Sequence, residues 1–236
     1  MAPKPRQSST PAAAGRTPPG ALDRLTVIST IPGRNGTKAD VSRARLDGLE
    51  VAVKDYRPRG WFVRRFLGPW LIAREARAYH AARGAAGLPA LVGRLAPGVL
   101  AVEWFDATPL AGLDRGAVGR ATLDRLAEIV ADLHERGIAL GDLHHRDVLV
   151  ARDGSVRVVD LATAWVLGDR PGPLRRAVFE RARRLDLVAL ARMTARYTGM
   201  DERAAIEAAA GPAAARWYHR GRAMKRVLDR VRGRRR

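Results

Sequence analysis

The sequence predicts a mixed α+β fold in two lobes, and three observations support this prediction. Strand-like segments are concentrated in the first half of the chain, with one helix among them. The second half is mainly helical and contains one short hairpin. The chain has 236 residues and is 47% hydrophobic, which is enough apolar surface to fill the core of one domain or of two small lobes. Global disorder is therefore excluded.

In the first lobe we expect four strands and one helix. Asp47 and Gly48 are typical of a two-residue hairpin turn, so they predict that the strands on either side pair with each other. Alternating apolar residues mark the strands, and a stretch of apolar residues among charged ones marks the helix. The strands are expected at residues 25–30, 38–46, 49–56 and 98–105, and the helix from Trp70 to about Arg83.

The second lobe begins with an amphipathic helix that Gly137 is placed to end. The apolar face of this helix comprises Leu123, Leu126, Ile129, Val130 and Leu133. A short hairpin follows at residues 148–150 and 156–160, with its turn at Asp153-Gly154. The remainder is expected to be helical, around residues 172–197 and 201–230.

We expect four regions along the chain. Residues 1–22 contain five prolines, three basic residues and no acid, which predicts a disordered basic arm. Residues 23–105 are expected to form the first lobe and residues 106–215 the second. Residues 216–236 carry ten Lys or Arg and one Asp, which predicts a basic helix or tail.

The formal net charge of +19 indicates an anionic partner, and most of this charge lies on the two tails. For residues 216–236 we consider an anionic membrane surface, RNA and a merely solvated helix end. The absence of cysteine excludes disulfide scaffolds and Cys-ligated zinc. Because no segment has the apolar length of a membrane span or a signal sequence, we expect a cytoplasmic protein. The basic tail would allow a peripheral position on the inner face of the cytoplasmic membrane.

Three carboxylates flank the predicted hairpin of the second lobe. Asp142 and Asp147 lie five residues apart before its first strand, and Asp160 ends its second strand. Mg²⁺ prefers hard oxygen ligands, and a loop carboxylate can accept a proton. The pattern therefore predicts a site for Mg²⁺ binding and proton transfer at the open end of the hairpin.

A lysine stands within an apolar strand of the first lobe. Lys54 follows Val51-Ala-Val53, where an unpaired ammonium would be costly to bury. Glu75 lies 21 residues later, on the predicted helix, and is the natural counter-ion.

These residues resemble the motifs of the protein-kinase-like superfamily. Val51-Ala-Val-Lys54 is similar to the strand whose lysine holds nucleotide phosphates, and Glu75 to the helix glutamate that pairs with it. Residues 133–138, Leu-His-Glu-Arg-Gly-Ile, followed by Gly141-Asp142, resemble the approach to the catalytic loop, and Asp160-Leu-Ala162 stands where Asp-Phe-Gly would be. The resemblance covers roughly residues 23–190. It implies a two-lobed kinase-like fold with a minimal C-terminal lobe.

The resemblance also implies an ATP- and Mg²⁺-dependent kinase. Asp142 would be the catalytic aspartate, and Asp147 and Asp160 would hold Mg²⁺. The segment from Glu103 to Phe105 would be the interlobe hinge, whose backbone receives the adenine. The remaining residues that the resemblance assigns to ATP binding are Lys54, Glu75, Gly33 and Gly36.

Several positions depart from the kinase pattern. The phosphate-covering loop keeps only Gly33 and Gly36, so an ordinary hairpin turn is the other interpretation of these glycines. Asp147 replaces the usual metal-binding asparagine. Its negative charge adds to those of Asp142 and Asp160, so a bound metal ion is needed more strongly to offset them. Leu140-Gly141 replaces His-Arg, so control through a phosphorylated activation loop is not expected. The residues after Asp160 lack the usual glycine, so we expect that this segment does not switch between two conformations.

Two further residues of the second lobe are candidates for a role at the site. His144 is a candidate contact of the phosphoryl group or the acceptor. Asp186 is expected to brace the catalytic loop by accepting backbone hydrogen bonds.

Residues 57–70 mix four arginines with aromatic side chains. These aromatics either contact an anionic acceptor or a membrane, or pack beneath the first lobe, and we expect the packing.

Only 26 positions separate Asp160 from Asp186, which leaves little chain for a peptide-docking platform. In this short spacing of its motifs, the chain is most similar to bacterial lipopolysaccharide-core (Kdo/heptose) kinases and to RIO-like kinases. The resemblance thus implies a hydroxyl acceptor on a sugar, a lipid-linked sugar or a protein Ser/Thr. Two alternatives remain: a pseudokinase that acts as a scaffold or nucleotide sensor, and a basic RNA- or membrane-associated regulatory protein.

Overall fold

A computed structural model describes residues 20–213, 215, 216 and 218. The predicted arm at residues 1–22 lies outside the described residues except for its last three, and the predicted basic tail lies outside them except for Arg216 and Tyr218. The described chain is mixed α+β, as the sequence predicted. It divides into two compact units, of which the first comprises the described residues up to His80 together with Pro89–Phe105. The second comprises Ala81–Leu88 and the described residues from Asp106 onward.

A five-stranded antiparallel sheet forms the first unit, with strand order β1-β2-β3-β5-β4. The turn predicted at Asp47-Gly48 is confirmed, since Leu46 pairs with Leu49 and both turn residues have positive φ. The apolar core of this sheet consists mainly of small and β-branched side chains from the central strands. The strands are β1 Leu25–Ile31, β2 Asp40–Leu46, β3 Leu49–Asp55, β4 Leu91–Ala96 and β5 Val99–Glu103.

A helix follows β3 in the first unit and begins earlier than the sequence predicted. It opens with a π-helical turn, Val63–Leu67, and continues as α1, Gly68–Ala81. A Cβ at Gly68 would lie 2.5 Å from the Cβ of Tyr56, so the two residues are in close contact. Val63 and Gly68 occupy the buried face of this helical segment, whereas its aromatic side chains are exposed, namely Trp61, Phe62, Phe66 and Trp70. The predicted packing of these aromatics beneath the first lobe is therefore wrong.

The second unit combines two long helices with short strands. Helix α2, Arg120–Glu135, buries all five residues of its predicted apolar face. Helix α3 is Pro173–Thr198, and residues 202–213 are also helical. Two small sheets accompany the helices, with strand orders β6-β8-β9 and β10-β7. Their strands are β6 Thr108–Pro109, β7 Ile138–Ala139, β8 Val148–Val150, β9 Val156–Val158 and β10 Trp165–Val166.

Residues 81–88, which begin at the last residue of α1, group with the second unit. Two hydrogen bonds attach them to β9: the Val158 amide donates to the Gly87 carbonyl at 2.8 Å, and Arg157 Nη1 donates to the Leu88 carbonyl at 2.8 Å. Gly87 also lies against Ile129 of α2. Within the described part of the chain, no helix has the length and apolar character needed to cross a membrane.

Candidate functional site

A buried ion pair in the first unit joins β3 to α1. Lys54 Nζ lies 2.7 Å from Glu75 Oε1, and Glu75 is only 1% exposed. Lys54 is half-buried, so its ammonium compensates the glutamate while keeping some contact with solvent. The pair is the one expected from the sequence. It holds an ammonium in a defined position, where it can bind an anionic group such as a phosphate.

The loop between β1 and β2 contains the two glycines of the predicted phosphate-covering loop. The Gly33 amide donates to Asp40 Oδ1 at 2.7 Å, and Asp40 is also paired with Arg59. A Cβ at Gly33 would lie 2.3 Å from the Lys38 carbonyl oxygen, so the loop closes tightly on itself at this residue. Gly36 has nothing within 4 Å of the position of a Cβ. The Gly33 amide is thus used to close the turn, which favours the hairpin-turn interpretation for that glycine.

The segment from Glu103 to Phe105 ends the first unit. The Glu103 amide donates to the Ala90 carbonyl at 2.8 Å, and the Trp104 amide donates to the Glu50 carbonyl at 3.0 Å. These two amides are satisfied within the unit.

The hairpin β8–β9 of the second unit carries two predicted metal ligands at its open end. Asp147 immediately precedes β8 and Asp160 follows β9 by two residues. The Val159 amide donates to the Asp147 carbonyl at 2.8 Å, which extends the pairing of Val148 with Val158 to the open end of the hairpin. The two aspartates consequently lie at the same end of one small sheet.

Asp142 lies in a loop that runs alongside the residues after Asp160. Strand β7, which precedes this loop, pairs with β10. Thr163 Oγ1 donates to the Leu140 carbonyl at 3.0 Å, and a Cβ at Gly141 would lie 3.4 Å from the Thr163 carbonyl oxygen. The second unit thus gathers Asp142 and Asp160 on adjacent segments. Both of these residues are exposed, whereas Asp147 is half-buried.

Asp160 has an unusual backbone conformation. Its φ is +70°, and among the described residues only Asp47, in its hairpin turn, is another non-glycine residue with positive φ. Asp160 Oδ1 accepts a hydrogen bond from the Ala162 amide at 3.3 Å, a local contact that helps an aspartate adopt this region. Residues in such sparsely populated conformations cluster at functional sites. The conformation therefore marks Asp160 as a candidate functional residue.

Asp186 of α3 anchors the loop that carries Asp142. It is fully buried, its Oδ2 accepts the Leu140 amide at 2.7 Å, and its Oδ1 accepts the Gly141 amide at 2.7 Å. His134 Nε2 of α2 lies 2.9 Å from Oδ2. These are the backbone hydrogen bonds expected of a brace, and they orient the loop one residue before Asp142.

Two adjacent histidines follow Asp142. The Arg146 amide donates to His144 Nδ1 at 3.3 Å. The His144 and His145 rings meet edge to face with their centroids 4.3 Å apart. Burial lowers the pKa of His145, and the nearby charges of His144, Arg196 and Arg192 lower it further. The neutral ring of His145 is therefore favoured.

His145, Arg192 and Arg196 are not among the site residues that the sequence predicts. The two arginines lie four residues apart on α3, hence on one face of that helix. Their spacing is visible in the sequence. Only the fold, however, places them near the loop after Asp142.

The carboxylates of the hairpin are oxygen donors of the type that can bind Mg²⁺. Within the described residues, no group of three or more His, Asp or Glu side chains is arranged to hold a metal ion. Mg²⁺ commonly binds one or two carboxylates and completes its six ligands with water and phosphate oxygens. Asp147 and Asp160 supply two hard oxygen donors on one hairpin, which suits that mode of binding.

No protein-family model matches this chain, and comparison with curated proteins finds no match to it. Its chemistry is therefore inferred from its own residues.

Proposed function

We propose that the protein is an ATP- and Mg²⁺-dependent phosphotransferase with a protein-kinase-like fold. The observation that carries this proposal is the hairpin β8–β9, which holds Asp147 and Asp160 at its open end beside the loop of Asp142. Phosphoryl transfer depends on positioning and charge neutralisation, and carboxylates of this kind serve both. The ion pair of Lys54 with Glu75 supports the same chemistry, because it positions a cation suited to phosphate oxygens.

Each residue has a distinct role in the proposed reaction. Bound Mg²⁺ would neutralise charge on the nucleotide phosphates. Asp160 and Asp147 would hold that ion, and Lys54 would bind the α- and β-phosphates. Asp142 would orient the acceptor hydroxyl and take its proton as the oxygen bonds to the γ-phosphorus. The bond from the γ-phosphorus to the bridging oxygen breaks at the same time, and ADP leaves.

The proposed acceptor is a hydroxyl group on a sugar, a lipid-linked sugar or a protein side chain. The resemblance of Gly141-Asp-Leu-His-His145 and Asp160-Leu-Ala162 to lipopolysaccharide-core and RIO-like kinases supports this range of acceptors. The proposal places the enzyme in the cytoplasm, where ATP is available.

The Asp160→Asn variant tests the proposal. Asparagine tolerates positive φ but carries no charge, so we expect a stability within about 1 kcal/mol of the wild type. Mg²⁺-dependent transfer of the γ-phosphate to a panel of sugars, lipids and proteins should fall about 100-fold or more. Asp114→Asn is the matched control, because Asp114 is exposed and its side chain makes no capping hydrogen bond.

Two results would overturn the proposal. One is transfer by Asp160→Asn at the wild-type rate. The other is a wild-type protein whose melting temperature rises with ATP equally with and without Mg²⁺, and which labels no acceptor. The second result would favour the pseudokinase alternative.

A further inference from the structure

Four large aromatic side chains are exposed along one helical segment of the first unit. Trp61 is 66% exposed, Phe62 61%, Phe66 50% and Trp70 53%. Phe62, Phe66 and Trp70 follow one another at intervals of four residues, so they lie on one face of the helix, with Trp61 beside them. We call these four residues the aromatic stripe. Exposed apolar patches of this kind mark interaction surfaces.

The rings of the aromatic stripe contact one another. The Trp61 and Phe66 rings meet edge to face with centroids 5.5 Å apart, and the Phe62 and Phe66 rings lie 5.8 Å apart. The buried face of the same helix, which includes Val63, Gly68 and Ile72, packs within the first unit. The stripe therefore faces outward while the opposite side of the helix anchors it.

Positive charge accompanies the stripe. Residues 57–74 contain five arginines and no acidic residue. Arg65 lies over the Phe66 ring at 5.6 Å and Arg74 over the Trp70 ring at 5.7 Å. Within the described part of the chain, neither Arg64 nor Arg65 has a carboxylate partner within 4.0 Å. The surface around the stripe is thus both apolar and cationic.

We propose that the aromatic stripe docks on the surface of an anionic lipid bilayer. Tryptophan and phenylalanine insert at the boundary between headgroups and acyl chains, while flanking arginines bind acidic headgroups. Single-stranded RNA is the weaker fit, because it requires separate aromatic faces on which bases can stack. Here the Trp61 ring and Arg65 already adjoin the ring of Phe66. The proposal is independent of the proposed catalytic activity.

Vesicle partitioning of the full chain tests this docking surface. The vesicles are phosphatidylcholine alone and phosphatidylcholine with 30% phosphatidylglycerol, at about 0.15 M and about 0.5 M salt. We expect Trp61→Ser/Phe66→Ser to lower partitioning into the anionic vesicles about tenfold or more at both salt concentrations. We expect Arg64→Gln/Arg65→Gln to lower it about fivefold per arginine, mainly at the lower salt concentration.

Matched controls keep the basic tail and change residues elsewhere. Leu174→Ser removes another highly exposed apolar side chain, and Arg120→Gln/Arg125→Gln removes two charges from α2. Both should partition within about twofold of the wild type. Circular dichroism and thermal unfolding verify that every variant is folded.

Three outcomes would overturn the proposal. The wild type could fail to bind anionic vesicles at either salt concentration. Trp61→Ser/Phe66→Ser could bind like the wild type or like the Leu174→Ser control. Finally, the stripe variants could lose affinity for single-stranded RNA while keeping their affinity for vesicles.

Discussion

Glu75 and Asp186 are both carboxylates withdrawn almost completely from water, but different donors compensate them. Glu75 is paired with the ammonium of Lys54, whereas Asp186 accepts two backbone amides and lies beside His134. Burial of a charge requires such partners. Each carboxylate therefore fixes its donors in space: Glu75 fixes a cation, and Asp186 fixes the start of a loop.

At the residue scale, we predict that Glu75→Ala lowers the free energy of unfolding by about 3 kcal/mol. Removing one member of a buried pair leaves the other without its partner. The double variant Lys54→Met/Glu75→Leu should recover most of this loss, because it replaces both charges with apolar groups of similar size. Urea denaturation measures these differences.

The exposed pair of Arg120 with Asp124 provides the control for this experiment. Asp124→Ala should cost about 0.5 kcal/mol or less, because exposed ion pairs contribute little. If the double variant were no more stable than Glu75→Ala, the loss would not arise from the unpaired charge. Under the proposed function, the double variant would be stable but would bind ATP weakly.

At the scale of elements, the site of the second unit depends on very short strands. Strands β7 and β10 have two residues each, and β8 and β9 have three. Contacts beyond the strands hold these elements in place: residues 81–88 bind β9 through the Gly87 and Leu88 carbonyls, and Asp186 binds the loop after β7. The positions of Asp142, Asp147 and Asp160 thus depend on segments distant in the chain.

The segment 81–88 offers a test of this dependence. Gly84 and Gly87 both have positive φ, so alanine is strained at either position. A Cβ at Gly87 would lie 2.3 Å from Ile129, whereas a Cβ at Gly84 would meet nothing within 4 Å. We expect Gly84→Ala to cost about 1 kcal/mol and Gly87→Ala about 3 kcal/mol, because only the latter adds a clash.

Chemical denaturation of the two glycine variants gives the comparison directly. Equal losses for Gly84→Ala and Gly87→Ala would mean that Ile129 moves aside without cost. In that case, the contact between residues 81–88 and α2 would not be a rigid one.

At the scale of the whole molecule, positive charge is unevenly distributed along the sequence. Residues 23–215 carry a net charge of only +7, although the full chain carries +19. Residues 219–236 alone contain nine Lys or Arg and one Asp. Attraction to polyanions should therefore depend mainly on the ends of the chain, and it should be screened by salt.

We predict that deletion of residues 219–236 lowers the NaCl concentration at which the protein elutes from a heparin column. The deletion removes most of the concentrated positive charge, so fewer counterions are released on binding. Deletion of residues 2–19, a segment of equal length with three basic residues, serves as the control and should change elution much less. Similar elution of the wild type and the 219–236 deletion would contradict the prediction.

Much of the fold could be predicted from local patterns. The alternation of β3, the turn at Asp47-Gly48 and the apolar face of α2 each repeat a periodicity that the sequence displays directly. Strand β4 was missed because Gly93 interrupts its alternation and its register shifts twice against β5. Two-residue strands such as β7 and β10 are too short to show any period.

The sequence by itself determined the mixed α+β class, the pairing partner of Lys54 and the residues that carry carboxylates around one hairpin. These features follow from charge, spacing and periodicity, which are local properties of the chain. Only the tertiary structure decided that Asp160 adopts positive φ, that Asp186 binds the amides of Leu140 and Gly141, and that the aromatic stripe faces outward. Those outcomes depend on which distant segments pack together, because burial and backbone strain are set by the neighbours that the fold supplies.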